Sequence, residues 1–249
     1  TAVGPFETDF ISSFILRKRI ILLITKYLMI FSSLTSDLVI YESEYTRDLF
    51  VRKYKQKIEK SVVLHIGNDE FYQPVDTKYS ETANKFSEID YLLTVSHLYP
   101  YKNIELLIDS YYHAQLYKSE LYILIAGSNT DKIYSDKLKS KVQKYGLGEH
   151  IVFLGRIEKQ DLRELYSQCK FLVFTSPFEN FAYTLVEAMS CSAPIIATNT
   201  TAMPETCGDA ALYFSPDSEQ ELTECMLTFL ENEDIRKEYK YKSLAKSAE

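Results

Sequence analysis

Several things are missing from this chain, and each absence removes a class of protein. Its four cysteines, Cys169, Cys191, Cys207 and Cys225, stand 22, 16 and 18 residues apart with no Cys-x-x-Cys pair, and its four histidines do not gather beside them. A zinc centre or a disulfide framework needs closer spacing, so neither is expected. The thiols read as reduced and buried, as in a cytosolic protein. Positive charge is also short: 28 Lys and Arg face 35 Asp and Glu, a net charge of −7. A bulk electrostatic nucleic-acid binder needs a basic stripe that this balance does not favour. The exception is residues 1–60, with 10 basic and 7 acidic side chains, which leaves −10 for the remainder. There are no internal repeats and no low-complexity tracts.

A membrane-spanning run is lacking as well. The most apolar stretch, residues 10–34, is interrupted by Arg17, Lys18, Arg19 and Lys26. No segment in it approaches the ~20 uninterrupted apolar residues that a bilayer requires. Charges in its middle and the absence of a small-residue cleavage site exclude a signal peptide. It reads either as one or two helices packed on a domain, or as a basic amphipathic surface resting on anionic lipid, a peripheral membrane contact. The chain opens at Thr1 without Met, so it is expected to be a piece of a longer protein.

What is present is a regular alternation. Apolar runs at 37–43 and 61–68 predict two strands around a polar helix at 46–55. Residues 70–86, with Pro74 and mixed charge, predict a linker, placed at 73–88 between an N-terminal region (1–72) and a C-terminal domain (89–249). In that domain strands are expected at 91–95, 121–127, 150–155, 171–175, 194–198 and 211–214. Helical stripes lie between them: Ile104, Leu107, Ile108 and Tyr111; Leu162, Leu165, Tyr166 and Cys169; Leu222, Cys225, Met226, Phe229 and Leu230. Six near-continuously apolar strands separated by helices imply an α/β fold, a doubly wound parallel sheet covered on both faces. Such sheets bind ligands at the carboxyl ends of their strands.

Four segments follow those ends. Ser96-His97-Leu98-Tyr99-Pro100-Tyr101-Lys102-Asn103 opens a helix. A lysine there, beside helix N–H groups, is either an anion cradle or a solvated loop residue. Gly127-Ser128 and Gly155-Arg156 permit close backbone approach, though turn chemistry explains them equally. After 171–175 comes SPFENFAYTLVEAM, where Pro177 ends the strand and Asn180 is a candidate helix N-cap. Counted from that cap, Glu187 falls about two turns into the helix, among apolar neighbours. Its carboxylate then needs hydrogen bonds, a polar ligand or a salt bridge to Lys or Arg.

Glu179 and Glu187 match the Glu-x7-Glu motif of retaining glycosyltransferases with the two-domain GT-B fold, and SPFENFAYTLVEAMSCSAPIIAT resembles glycosyltransferase family 4. TVSHLYPYKNIELLIDSY, HIVFLGRIEKQDLRELYSQCKFLVFTS and AMPETCGDAALYFSP are similar to further segments of that family. So are DLVIYESEYTRDLF and VVLHIGNDEFYQP upstream. The resemblance implies a Rossmann-like donor-binding domain preceded by a partial N-terminal domain. It also implies retaining, metal-independent hexosyl transfer from a nucleoside-diphosphate sugar to a glycan or lipid-linked acceptor, with no cofactor. By the same resemblance, Lys102 neutralises the diphosphate and Glu179 contacts the sugar. Glu187 accepts the ribose hydroxyls, and amides at Asn180, Phe181 and Ala182 bind phosphate. Ser96, His97 and Thr184 line the donor site, with Arg156 beside Ile157 in the base loop. His97 stands where the family usually has arginine, and Asn180 and Ala182 replace two glycines. The implied setting is cytoplasmic, at a membrane face. A catalytically silent sugar-nucleotide-binding subunit, or an epimerase relative, is the alternative.

Overall fold

The computed structural model describes residues 16–55, 57–65, 67, 69–75 and 80–249; positions 10–15 of the apolar stretch lie outside them. Two compact units emerge. The first holds the described residues up to Gly67 together with Phe178–Ala182 and Thr200–Thr206, and the second holds the rest.

In the first unit, helix α1 (Leu16–Thr35) precedes strand β1 (Val39–Tyr41), helix α2 (Glu44–Tyr54) and strand β2 (Ser61–Val63). The strands pair in parallel, Val39 opposite Ser61. Helix α2 begins two residues earlier than the polar pattern predicts, because the Ser43 hydroxyl accepts the Thr46 amide at 3.2 Å and caps it. The strands are shorter than the apolar runs at 37–43 and 61–68, since pairing ends after three residues. A small core forms around Tyr41 and Phe50, with Met29, Ile30 and Val39 against them. The opposite side of α1 is bare: Ile20, Ile24, Tyr27, Leu28, Phe31 and Leu34 are all at least half exposed. At 3.6 residues per turn they cover an arc of roughly 120°. One face of α1 therefore packs as an ordinary helix, and another apolar face meets solvent. Among the described residues no helix is long and apolar enough to cross a membrane.

The second unit carries strands β3 (Asp90–Val95), β4 (Leu121–Ala126), β5 (Ile151–Gly155), β6 (Phe171–Phe174), β7 (Ile195–Thr198) and β8 (Ala211–Phe214). All pair in parallel, in the order β5-β4-β3-β6-β7-β8. This is the 3-2-1-4-5-6 order of a doubly wound Rossmann-like sheet, with all six strands where the sequence predicts them. Helices α4 (Ile104–His113), α5 (Lys132–Lys144), α6 (Lys159–Gln168), α7 (Tyr183–Ser190), α9 (Glu219–Glu231) and α10 (Glu233–Ser247) accompany it, with short helices α3 (Glu81–Asn84) and α8 (Met203–Cys207), the latter falling mostly in the first unit.

The predicted stripes are the core faces. Ile104, Leu107, Ile108 and Tyr111 are fully buried, as are Leu222, Met226 and Phe229. Each buried Leu or Ile contributes about 1.5–3 kcal/mol relative to exposure. Residues 80–84 lie against α6: the Ser80 amide donates to Glu164 at 3.1 Å and the Thr82 hydroxyl to Asp161 at 3.0 Å. All four cysteines are unpaired, three of them buried and Cys225 half-buried. Burial pushes the Cys169, Cys191 and Cys207 thiols up to about 12.

Candidate functional site

Strands β3 and β6 are neighbours, with Leu92 opposite Phe171. From that pair the chain winds outward in opposite directions, so the segments leaving their carboxyl ends splay apart and open a crevice. After β3, the Ser96 amide donates to the Ala126 carbonyl at 2.9 Å and the Leu98 amide to Ser128 at 3.1 Å. Gly127, at φ +144°, makes that approach feasible, since a Cβ there would overlap the Ser96 carbonyl oxygen. Its own amide reaches the Gly155 carbonyl at 2.8 Å. The glycines noted as turn candidates thus let three strand ends converge.

The segment then makes a 3-10 turn over Pro100–Lys102, passes Asn103 in the left-handed region (φ +53°) and enters α4, whose first turn has no side-chain cap. The Asn103 side chain is spent elsewhere, donating to the Pro216 carbonyl at 3.0 Å. Lys102 is held at this crevice by its backbone: its carbonyl accepts the Thr175 hydroxyl at 2.6 Å, and Thr175 directly follows β6. Its ammonium lies 5.0 Å from the Tyr101 ring centroid and 5.7 Å from that of Phe174. A half-buried cation over aromatic faces, beside an uncapped helix N-terminus, is suited to holding an anion. In the sequence Thr175 carries no signal beyond a strand end. Ser96 is half-buried, and His97 is exposed with Nδ1 3.4 Å from the Thr130 hydroxyl. Arg156 is exposed just past β5.

Helix α7 begins at Tyr183, so Asn180 is not its N-cap. Glu187 consequently lies about 6 Å along the axis, just over one turn in, rather than two. Burial overrides the capping propensity of Asn180: Phe181 and Ala182 are buried in the segment before the helix. Thr184, in the first turn, is half-buried.

Glu187 is half-buried, and the Tyr166 hydroxyl donates to its Oε2 at 3.2 Å. The Tyr72 hydroxyl is a second donor. Among the described residues it forms no ion pair; Lys159, which attracts it through space, is paired with Asp69 at 2.8 Å. Burial raises its pKa, and the two tyrosines and Lys159 pull it back only in part, leaving it above the ordinary carboxylate range. A carboxylate offers about four acceptor positions. The two tyrosine hydroxyls leave room for donors from a ligand. The salt bridge that sequence left open is therefore replaced by a tyrosine pair. In the sequence Tyr166 reads only as part of a core stripe, and Tyr72 lies 115 residues from its partner in the chain.

Glu179, Asn180, Phe181 and Ala182 cluster with the first unit, whereas Ser96, His97, Lys102, Arg156, Thr184 and Glu187 belong to the second. The Glu179 amide donates to the Thr201 hydroxyl at 3.2 Å, and Phe181 stacks on His65 with centroids 5.9 Å apart. In the same unit Glu205 accepts the Glu44 and Tyr45 amides at 2.6 and 2.9 Å, capping α2, and meets His65 Nε2 at 2.9 Å. That carboxylate was not singled out from sequence either, since its partners lie 140 residues or more away. Among the described residues no group of three or more His, Cys, Asp or Glu side chains converges to hold a metal ion.

Solved structures of other proteins share this fold. HepE of Anabaena, solved with UDP and glucose, superposes with a TM-score of 0.78 at 21% identity, over 90% of this chain and 61% of that one. The fold is thus the Rossmann-like architecture of GT-B glycosyltransferases. The serotype-specific mannosyltransferase WbdA of Escherichia coli is 30% identical over 160 residues, 64% of this chain and 20% of that protein. A Campylobacter jejuni diphospho-undecaprenol N-acetylgalactosaminyltransferase is 26% identical over 224 residues, 89% of this chain and 58% of its own length. The chain therefore spans between a fifth and about three fifths of these relatives. The family model described as "Glycosyl transferases group 1" matches residues 75–246, well over half of the chain. On that match, the chain belongs to the glycosyl transferases group 1 family.

Proposed function

We propose that this chain carries the donor-binding part of a family 4 glycosyltransferase, one that moves a hexosyl group from a nucleoside-diphosphate sugar to an acceptor hydroxyl with retention of configuration. The observation that supports this reading most is Glu187: a half-buried carboxylate with two tyrosine donors, no ion pair among the described residues and acceptor positions to spare. Ribose hydroxyls would fill those positions. Lys102, locked by Thr175 at the end of β6, would neutralise the diphosphate where leaving-group charge develops. The amides from Asn180 to Ala182 would contribute to phosphate binding, and Glu179 would hold the sugar hydroxyls. Ser96, His97, Thr184 and Arg156 would complete the donor site.

In the proposed step the bond from the anomeric carbon to the diphosphate oxygen breaks and a bond to the acceptor oxygen forms on the same face. The acceptor proton passes to the departing diphosphate. The enzyme supplies positioning and charge stabilisation, and the reading requires no metal. A glycan, glycolipid or lipid-linked sugar is the proposed acceptor, at the cytoplasmic face of a membrane. The outward apolar arc of α1 supports a peripheral contact there.

The test is transfer by the full-length protein from a labelled nucleotide sugar to a lipid-linked acceptor extract, with the product's anomeric configuration read by NMR. An α-linked product from an α-linked donor, formed equally in EDTA, supports the reading. Inversion, or conversion of the donor without an acceptor, overturns it. Donor binding without transfer would instead indicate a silent subunit.

A further inference from the structure

The amino end of β6 faces away from the crevice just described, and it carries a second, oppositely organised feature. Gln168, Cys169 and Lys170, which join α6 to β6, and Glu233, Arg236, Lys237 and Lys240 of α10 enclose a cavity of about 380 Å³. Four cations line it against one carboxylate, in a chain of net charge −7.

The cations are differently committed. Lys170 pairs with Asp90 at 2.7 Å, and Lys237 with Glu233 at 2.8 Å. One guanidinium nitrogen of Arg236 donates to the Phe229 carbonyl and, at 3.0 Å, to that of Leu230, closing the end of α9. Lys240 is half-buried and, among the described residues, has no carboxylate within ion-pair range. The Gln168 side-chain nitrogen is buried without a hydrogen-bond partner. A buried, unpaired donor is costly unless something accepts from it. An ammonium lining the cavity and a buried amide donor at its wall, with a guanidinium beside them, form a constellation suited to an anion.

We propose that this cavity binds a phosphate-type anion, either free phosphate or the phosphate of an acidic lipid headgroup. Tetrahedral oxygens would take the Gln168 donor and the Lys240 ammonium, with Arg236 and Lys170 adding charge. The site is independent of Lys102 and of any transfer reaction.

The probe is inorganic phosphate, titrated at constant ionic strength into the ¹⁵N-labelled chain and followed by amide shifts. Saturable shifts at 168–170 and 236–240 are expected, persisting in Lys102→Ala and weakened at least tenfold in Lys240→Gln. Gln168→Leu, which removes the unpaired donor without touching charge, should weaken them by a smaller factor. Flotation with phosphatidylcholine vesicles, with and without phosphatidic acid, identifies the source. Lys240-dependent flotation on the acidic vesicles assigns a headgroup, and no flotation assigns free phosphate. Shifts confined to 96–103, or shifts at 236–240 unaltered by Lys240→Gln, would overturn the proposal.

Discussion

The chain contains two parallel sheets, and they are built to different standards. The six-stranded sheet of the second unit has β6 and β7 buried along their whole length and helices whose apolar stripes close over it. The two-stranded sheet of the first unit leaves Ile40 and Val62 at 55% and 40% exposure, with Leu38 and Leu64 bare at its ends. Of the large apolar side chains exposed among the described residues, twelve lie in the first unit and four in the second. Parallel strands are normally covered on both faces. The second unit satisfies that rule from its own sequence, whereas the described residues of the first leave a broad apolar surface exposed. Residues of the second unit belong to a closed body, whereas those of the first are one part of a surface.

The sharpest way to break this contrast is a core substitution in the second unit. Leu93→Ala, at a fully buried position of β3, should cost about 2–5 kcal/mol in urea unfolding. If it costs less than 1 kcal/mol, the second unit is not the close-packed body described. Lys102→Ala should leave stability nearly unchanged and lower transfer by the full-length protein about 10²–10³-fold, roughly 3–4 kcal/mol of transition-state stabilisation. An unchanged rate would detach the crevice from the chemistry. Gly127→Ala should destabilise by about 1–3 kcal/mol, through positive φ and the clash with the Ser96 carbonyl. Gly146→Ala, also at positive φ but in open space, should cost less, and thermal unfolding compares the two.

A prediction of opposite sign concerns Glu187. Its folded pKa lies above the ordinary carboxylate range, chiefly because burial penalises the charge. The protonated form therefore favours folding. That stability is present below the unfolded-state pKa and is lost as pH rises through the folded value. Glu187→Gln should accordingly stabilise the protein at neutral pH, with the gain closing as pH falls, while donor binding is lost. A gain that grows on acidification would reverse the assignment. Smallest of all, Phe31→Ser on the exposed arc of α1 should change stability by no more than about 0.5 kcal/mol. It should reduce binding of an apolar dye, measured against Tyr241→Ser in the second unit.

The second unit was legible from sequence because its information is local. Each strand is a short apolar run, and stripes such as Ile104, Leu107, Ile108 and Tyr111 name their own buried face. The place of the Lys102 loop after β3 was legible for the same reason, since strand ends can be counted. The start of α7 was misplaced because Asn180 is a good cap in isolation, while the burial of Phe181 depends on residues far away in the chain. Tyr72 and Tyr166 beside Glu187, Thr175 on Lys102 and Glu205 at the start of α2 were illegible on the same ground. Helix α10 was barely visible: of its residues only Ser243 is buried, so it carries no apolar stripe.

The central claim is that Lys102 and Glu187 together hold a nucleotide at the switch between β3 and β6. Titration calorimetry of UDP, GDP and ADP into this chain, and into Lys102→Ala and Glu187→Ala, tests it most directly. The account predicts saturable binding of one nucleotide, weakened at least tenfold in both variants and unaffected by Lys240→Gln. Equal affinity in the wild type and both crevice variants would contradict it.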